Sequence, residues 1–230
     1  MAKPVGIIEM GTPPESVVDK MGRQGQWFID ALQLEEGEYQ IFRPEHGDEL
    51  PNEDAVSCVI ISGSWSMVTE KLAWSEAVAE WIRTWQGKIP MFGVCYGHQI
   101  MAHALGGVVD FNPNGREKGL YTITKKSADP YLDAATEQTY TAWLSHDQSV
   151  IKAPACAVSL AESEKDSNQM LRYDEKTYSV QFHPEFTAPG MIACWQSSDE
   201  LSDEKIAQVL STEEPAFAHS IMRRFISAWR

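Results

Sequence analysis

Short runs of apolar, mostly β-branched residues alternate along the chain with longer segments in which apolar residues recur every three or four positions. The short runs are typical of buried strands, and the longer segments are typical of amphipathic helices. Their alternation favours a parallel sheet with helices packed on both faces. We therefore predict an α/β protein, a three-layer α/β/α structure with a mostly parallel central sheet, and a single domain over residues 1–230.

The first half of the chain carries this alternation most clearly. Strands are predicted over four short segments, residues 4–9, 39–42, 56–61 and 90–94. Helices are predicted over residues 15–34 and 96–105. A further helix is indicated by apolar residues that recur at helical spacing, namely Trp74, Val78, Trp81, Ile82 and Trp85. Such a stripe is typical of a helix that packs against a sheet.

The second half is richer in short strands with tight turns. Strands are predicted over residues 119–124, 141–144, 155–161, 170–173 and 177–182. An acidic segment, residues 196–214, then precedes an apolar helix over residues 216–229. Because charged runs usually form a solvated face, we expect the acidic segment to lie away from any site.

The charge balance narrows the classes of partner. Lys and Arg number 19 against 33 Asp and Glu, which gives a net charge of −14. An acidic chain repels phosphate backbones and anionic lipid headgroups, so nucleic acid and membrane are disfavoured as partners. No apolar run approaches the ~20 residues that span a bilayer, and the N-terminus does not resemble a signal sequence. We therefore expect a cytoplasmic protein.

Four cysteines lie far apart, without CxxC or metal-ligand spacing: Cys58, Cys95, Cys156 and Cys194. Disulfides are rare in a reducing cytosol, so each is expected to be a free thiol, and Cys58 and Cys156 are interpreted as buried, inert cysteines. No grouping of His, Cys, Asp and Glu indicates a metal site, and there is no Walker-type phosphate loop. The sequence therefore predicts neither a metal nor a cofactor.

One cysteine lies in a pattern that indicates chemistry. Gly93-Val94-Cys95-Tyr96-Gly97 has the form Gly-x-nucleophile-x-Gly and stands between a predicted strand and a predicted helix. A side chain on so sharp a turn projects free of the sheet, and the glycines let strand and helix approach each other. The start of the helix directs N–H groups and a positive dipole end at the sulfur, which favours a thiolate and can hold an oxyanion. We predict that Cys95 is a nucleophile.

A cysteine nucleophile needs a base, and the base needs an orienting group. Gln181-Phe182-His183-Pro184-Glu185 supplies both at the end of a predicted strand. Pro184 disfavours a helical conformation at His183, and residues two apart in an extended segment leave the chain on the same side. We therefore predict that the carboxylate of Glu185 orients the imidazole of His183.

These two motifs together resemble the class I, or triad, glutamine amidotransferase family. The resemblance rests on Gly93–Gln99, on Gln181–Glu185 and on the Gly106-Gly107 turn, and it covers nearly the whole chain in order. It implies a flavodoxin-like fold and a glutaminase reaction. Cys95 would attack the side-chain amide of glutamine, His183 would act as base and then as acid, and water would hydrolyse the resulting γ-glutamyl thioester.

The resemblance also implies the residues around the substrate. The oxyanion would be held by the backbone N–H groups of Tyr96 and Ser64, next to Gly63, and Ser64 stands where many members have a glycine that tolerates positive φ. Gln99 would help to hold the substrate. Ser145, His146 and Asp147 resemble a segment whose backbone contacts the amino-acid end of glutamine, but Asp147-Gln148 replaces the Gly-Asp of that segment.

Three functions stay open from the sequence. The first is a glutamine amidotransferase that releases ammonia to a separate synthase or acceptor subunit, since no acceptor domain follows in this chain. The second is a γ-glutamyl peptidase or hydrolase that cleaves γ-glutamyl conjugates without a synthase. It would account for the departures at Ser64 and Asp147-Gln148. The third, a non-catalytic redox or chaperone-like member of the superfamily, is disfavoured by the complete His-Pro-Glu motif.

Overall fold

The computed structural model describes residues 3–230. It contains eleven strands: β1 Val5–Ile8, β2 Tyr39–Phe42, β3 Cys58–Ile61, β4 Met91–Val94, β5 Val108–Phe111, β6 Glu117–Lys125, β7 Thr139–His146, β8 Gln148–Lys152, β9 Val158–Glu162, β10 Met170–Arg172 and β11 Thr177–Val180. It contains seven α-helices: α1 Glu15–Met21, α2 Gln24–Leu32, α3 Ala73–Trp85, α4 Tyr96–Ala104, α5 Ala188–Gln196, α6 Asp203–Leu210 and α7 Ala216–Trp229. None of these helices combines the length and the apolar character needed to cross a membrane.

Nine strands form one sheet in the order β2-β1-β3-β4-β11-β10-β9-β6-β7. The first five strands in that order are mutually parallel, and the remaining four continue the sheet in antiparallel fashion. β5 and β8 pair separately as a small antiparallel sheet. Because parallel strands end at the same edge of a sheet, the residues that follow β3, β4 and β11 are brought together there.

Helices cover both faces of the parallel strands, which confirms the predicted three-layer α/β/α fold. Alternate residues of β3 show why: Cys58 and Ile60 pack into the core with α2 and α7, whereas Val59 and Ile61 pack into the core with α3 and α4. Successive strand residues point to opposite faces, so a continuous apolar run is required when both faces are buried.

The structure differs from the predictions in one helix and in three elements that the sequence pattern did not indicate. The segment 15–34 is two helices rather than one, because Gly22 has a φ of 72° and its N–H caps α1 by bonding to the carbonyl oxygen of Val18. Arg23 is then extended, and α2 starts at Gln24. The pattern also missed β5, β8 and α5, since β5 and β8 are short strands whose pairing is settled by contacts distant in sequence.

Candidate active site

Cys95 lies on the turn that joins β4 to α4, with φ 52° and ψ −102°. Its N–H donates to the carbonyl oxygen of Val180 at 2.9 Å, which ties the turn to the end of β11. A Cβ on Gly93 would lie 2.7 Å from the carbonyl oxygen of Gly97, and a Cβ on Gly97 would collide with the carbonyl oxygen of Ile61. The flanking glycines are therefore required by the close approach of β3, β4 and α4.

His183 follows β11, and its N–H donates to the carbonyl oxygen of Trp143 at 2.8 Å. Its Nδ1 lies 2.7 Å from Oε1 of Glu185, and both side chains are buried. Nε2 has no conventional hydrogen-bond partner among residues 3–230. Gly63 lies close to both the imidazole and the candidate nucleophile. A Cβ atom placed on Gly63 would be 3.2 Å from Cε1 of His183 and 3.7 Å from Cβ of Cys95, so the two side chains are neighbours.

The charges around His183 favour its protonated form. Burial opposes that form, but the Glu185 carboxylate and the Cys95 sulfur outweigh burial and raise the pKa of His183 to about 10. An imidazolium held beside a thiol favours the thiolate, which is the reactive form of cysteine. The structure thus brings the three residues predicted for the triad together in a buried cluster.

Two backbone N–H groups are available near the sulfur. Those of Tyr96 and Ser64 donate to no acceptor within residues 3–230, and both residues line the same cavity as Cys95. Ser64 does not have a positive φ, so the strain expected from the missing glycine is not present. The Ser64 hydroxyl accepts the N–H of Ser66 at 3.0 Å, which fixes the loop after β3. This arrangement can stabilise a negative oxygen.

One side of the cavity, here called the polar wall, comprises Gln99, Ser145, His146, Asp147 and Gln148. Gln99 is 4% exposed, and its Nε2 donates to the carbonyl oxygen of Gln148 at 2.6 Å and to Oε1 of Gln181 at 3.0 Å. The carbonyl oxygen of Ser145 lies 3.6 Å from the sulfur of Cys95. The side chain of Asp147 is exposed. The predicted substrate-binding residues therefore line the cavity together.

His146 ties the polar wall to a buried carboxylate that the sequence did not reveal. Its Nε2 lies 3.0 Å from Oε2 of Glu117, and its Nδ1 lies 2.9 Å from the carbonyl oxygen of Gln148. Gln169 donates to the same oxygen of Glu117 at 2.9 Å. Glu117 and His146 are distant in sequence, and the pairing of β6 with β7 places them opposite each other.

The same region holds the one group in residues 3–230 with metal-ligand geometry. Possible ligand atoms of Glu117, His146 and Asp166 lie within 4.8 Å of one another. Burial raises the pKa of Asp166, which disfavours a second carboxylate charge next to Glu117. His146 already has hydrogen-bond partners for both ring nitrogens. The cluster can therefore be satisfied by protons and hydrogen bonds.

A second group of lining residues, here called the aromatic wall, comprises Gln24, Trp27, Trp65 and Phe186. The ring of Trp27 packs edge-on against Trp65 and Phe186, with centroid distances of 6.1 and 5.7 Å. Phe186 stacks on the imidazole of His183 at 3.9 Å. Gln24 and Trp27 lie in no recognisable sequence motif, whereas Phe186 directly follows the His-Pro-Glu motif.

Residues at the rim of the cavity show that the acidic segment 196–214 does not lie wholly away from the site, contrary to the prediction from the sequence. Asp199 pairs with Lys118 at 2.7 Å and with Arg116 at 3.0 Å, and these two cations line the cavity. Ser197 accepts the indole N–H of Trp65 at 3.2 Å. The start of segment 196–214 thus borders the cavity, because Arg116 and Lys118 hold it there, and the later part forms a solvated helix, α6.

The other cysteines differ from Cys95 in their surroundings. All four are free thiols. Cys58 is buried, and burial raises its pKa to about 11. Cys194 is buried and lines the cavity, and burial also raises its pKa. Cys156 is exposed, so its interpretation as a buried cysteine was wrong.

Comparisons with known proteins show which family this chain is similar to. A model of the family described as glutamine amidotransferase class-I matches residues 17–190. The GMP synthase [glutamine-hydrolyzing] of Aliivibrio fischeri is 36% identical over 130 residues, which are 56% of this chain and 24% of that protein. The chain thus spans about a quarter of the length of the curated relatives it matches.

Two solved structures have the same fold. A glutamine amidotransferase from Thermotoga maritima has a TM-score of 0.77 and 23% sequence identity, and the match covers 98% of this chain and 99% of that chain. A second from Methylobacillus flagellatus has a TM-score of 0.75 and 21% identity, and the match covers 100% of this chain and 96% of that chain.

Proposed function

The chain belongs to the class I glutamine amidotransferase family, and from that premise we propose that it hydrolyses the side-chain amide of glutamine through a γ-glutamyl thioester on Cys95. One observation carries the proposal: Cys95 stands on a strained turn beside a buried imidazole that is braced by a carboxylate, and the N–H groups of Tyr96 and Ser64 in the same cavity have no acceptor within residues 3–230. The cavity of about 260 Å³ suits a small molecule rather than a polymer.

In the first half of the reaction, the Cys95 thiolate attacks the γ-carbonyl carbon, and the N–H groups of Tyr96 and Ser64 stabilise the negative oxygen. The protonated Nε2 of His183 then gives its proton to the leaving nitrogen. The C–N bond breaks, ammonia departs and the γ-glutamyl thioester remains. Glu185 holds the imidazole in the tautomer that this transfer requires.

In the second half, neutral His183 takes a proton from water as the water attacks the thioester. Collapse of the second tetrahedral intermediate expels the thiolate and releases glutamate. The imidazolium and thiolate are thereby restored, and the net reaction converts glutamine and water into glutamate and ammonia. No step requires a cofactor or metal.

We further propose that the ammonia serves a separate synthase or acceptor subunit. The matched relatives carry the name GMP synthase, and this chain corresponds to about a quarter of each. A reactive thiol also requires a reducing compartment, which favours the cytoplasm. Glutamate and ammonia formation with and without candidate acceptor subunits tests this proposal, since an acceptor should increase the turnover of glutamine or consume the ammonia.

The nucleophile can be tested directly. A glutamine-like electrophile, such as a chloromethyl ketone analogue, should modify the purified chain once and at Cys95, as mapped by peptide mass spectrometry. Cys194 is an internal control because it lines the same cavity. Modification at Cys194 or Cys58 in place of Cys95 would refute the assignment.

A second candidate is hydrolysis of γ-glutamyl conjugates by the same residues. The observation that favours it is the aromatic wall, which extends the cavity beyond His183. Both reactions share the same thioester, so only the leaving group distinguishes them. Comparing ammonia release from glutamine with amine release from γ-glutamyl peptides decides between them.

A further inference from the structure

The ring of Phe186 lies face to face with the imidazole of His183. The ring centroids are 3.9 Å apart, and the two planes are inclined by 12°. Both residues are buried. The other aromatic pairs within residues 3–230 have centroids 4.9–6.1 Å apart and planes inclined by 31–85°. The contact with the imidazole therefore differs from the ring packing elsewhere in the protein.

A positive charge on the imidazole accounts for this difference. The faces of neutral aromatic rings are negative, so two neutral rings prefer edge-on or offset contacts to a face-to-face stack. A cation is instead attracted to the face of an aromatic ring when it lies within about 6 Å of the centroid. The close parallel stack thus suits the protonated form of His183, which is the form that donates a proton in the proposed reaction.

Contacts from three sides hold Phe186 in this position. Its N–H donates to the carbonyl oxygen of His183 at 3.4 Å. Its own carbonyl oxygen accepts a hydrogen bond from Nε2 of His219 on α7 at 2.9 Å. Trp27 on α2 packs edge-on against the ring, with the centroids 5.7 Å apart. The loop and two helices therefore keep the face of Phe186 against the imidazole.

The stack also restricts a motion of the imidazole that its hydrogen bond does not restrict. Nδ1 of His183 lies 2.7 Å from Oε1 of Glu185, and this bond fixes the position of one edge of the ring. That bond alone does not fix the plane of the ring. The flat face of Phe186 restricts the plane, so the two contacts together hold Nε2 in one direction.

The titratable groups around the imidazole come from several elements. Glu185 on the same loop and Cys95 on the turn before α4 both raise the pKa of His183. Burial raises the pKa of the Cys194 thiol on α5 and lowers the pKa of His219 on α7, so both are uncharged near neutral pH. The charged residues that remain in this cavity and in the adjoining one are three of each sign, namely Arg116, Lys118, Arg223, Asp30, Glu117 and Asp147. His146, also in the cavity, bonds to Glu117.

From these contacts we propose that Phe186 is a positioning residue, whose ring face stabilises the imidazolium form of His183 and fixes the plane of that ring. The inference rests on the proposed thioester chemistry, in which His183 donates the proton to the leaving nitrogen. Phe186 acts through His183. It keeps the proton on Nε2 until the C–N bond breaks.

The test replaces the ring at position 186 and at one control position. Phe186→Leu removes the aromatic face but keeps apolar bulk, whereas Phe186→Tyr and Phe186→Trp keep an aromatic face. Phe225→Leu is the matched control, because Phe225 is fully buried and packs against rings other than the imidazole, namely Phe92, Tyr131 and Tyr178. All the titratable groups around His183 are unchanged in these variants, so the comparison isolates the ring.

Two measurements are made on each variant. The first is an NMR titration of the histidine ring protons without substrate, in which His183→Asn identifies the His183 signal among the six histidines. The second is kcat and KM for glutamine from pH 6 to pH 10.5. The first measurement reports the protonation of His183 whether or not the chain hydrolyses glutamine.

Phe186→Leu should lower the midpoint of the His183 titration by about one pH unit, which is a tenfold loss of proton affinity, as expected for loss of a buried cation–π contact. The alkaline limb of kcat/KM should move to lower pH by the same amount. At pH 7, kcat should fall roughly threefold with little change in KM, because the plane of the imidazole is less restricted. Phe186→Tyr or Phe186→Trp should restore the midpoint. Phe225→Leu should lower the melting temperature and leave the midpoint unchanged.

The outcomes separate this inference from the proposed function. If the wild-type chain hydrolyses glutamine and His183 titrates alike in Phe186→Leu and the wild type, the inference fails and the glutaminase proposal stands. The inference also fails if Phe225→Leu shifts the midpoint as much as Phe186→Leu, or if neither aromatic variant restores it, since both results indicate a general loosening of the fold. If the wild-type chain does not hydrolyse glutamine, the proposed function fails, and the NMR titration still decides the role of Phe186.

Discussion

The polar wall and the aromatic wall of the cavity differ in how far their polar atoms are paired within the protein. In the polar wall, Gln99 and His146 are both tied to the backbone of Gln148, and His146 is braced by the buried Glu117. In the aromatic wall, Trp27 packs against two other rings, and the amide of Gln24 has no hydrogen-bond partner among residues 3–230. Apart from Oε1 of Gln148, the buried polar atoms of the polar wall are paired and fix one geometry, whereas both polar atoms of the Gln24 side chain have no partner among residues 3–230.

The largest effect on the rate of hydrolysis is expected from changes to Cys95 and His183. Either Cys95→Ala or His183→Ala should lower the rate of glutamate release from glutamine by several orders of magnitude, because residues that act as a unit fail together. The double variant should be hardly worse than either single variant. Thermal unfolding of each variant controls for folding. Activity that survives both changes would favour the redox or chaperone-like alternative.

The next effect concerns pH. The pKa of His183 is raised to about 10, and Glu185 is the principal group that raises it. A folded pKa above the unfolded value of about 6.5 stabilises the fold fully below about pH 6.5, and this stabilisation is lost as pH rises through about 10. The protonated imidazole is also the acid for the leaving nitrogen, so kcat/KM should decline through the same range.

Glu185→Gln should move that alkaline limb of kcat/KM to lower pH and lower the maximum rate roughly a hundredfold or more. Rates of glutamate release measured from pH 6 to pH 10.5 check both expectations, with Glu214→Gln as a control carboxylate outside the cavity lining. An unchanged alkaline limb in Glu185→Gln would show that this carboxylate does not set the protonation of His183.

A smaller effect is expected on the free energy of unfolding, and it should differ between the polar wall and the aromatic wall. Glu117→Gln weakens the acceptor of both His146 and Gln169. The free energy of unfolding should fall by about 2 kcal/mol, and KM for glutamine should rise, since the backbone of residues 145–148 is no longer held. Gln24→Met should not lower the free energy of unfolding, because the buried amide that it removes has no hydrogen-bond partner among residues 3–230. Equal losses from the two variants in urea titrations would contradict the contrast between the walls.

The smallest effect is expected at the edge of the aromatic wall. Trp65→Phe keeps a ring against Trp27 but removes the N–H that donates to Ser197. The loss of one half-buried hydrogen bond should cost about 1 kcal/mol and raise KM less than about threefold. Chemical denaturation and initial rates measure both. A much larger rise in KM would mean that the segment after α5 is held over the cavity mainly by this bond.

Local patterns in the sequence predicted the three layers of the fold, and the resemblance of two motifs to a known family indicated most of the polar wall. Alternating apolar strands gave the layers, and the Gly-x-Cys-x-Gly and His-Pro-Glu motifs each occupy one short segment. The aromatic wall was missed because it depends on a helix boundary. A continuous helix over residues 15–34 hides the break at Gly22, and Gln24 begins α2 only because of that break.

The remaining omissions have a different cause. Glu117 meets His146 through the pairing of β6 with β7, and Asp199 meets Lys118 because the chain returns over the cavity after α5. Neither contact leaves a periodic signal, since each joins residues on separate elements. The acidic character of segment 196–214 even favoured the wrong interpretation, because a charge run looks solvated until its partner is known.

The backbone conformation of Cys95 also lowers the stability of the fold at the residue that the proposed reaction requires. A non-glycine residue at φ 52° and ψ −102° costs on the order of 1–3 kcal/mol, and a glycine at this position would remove that cost. Selection for heat resistance alone would therefore favour replacing the sulfur-bearing residue first. Stabilising substitutions elsewhere in the fold would offset the free-energy cost of this backbone conformation, and Cys95 could then be retained.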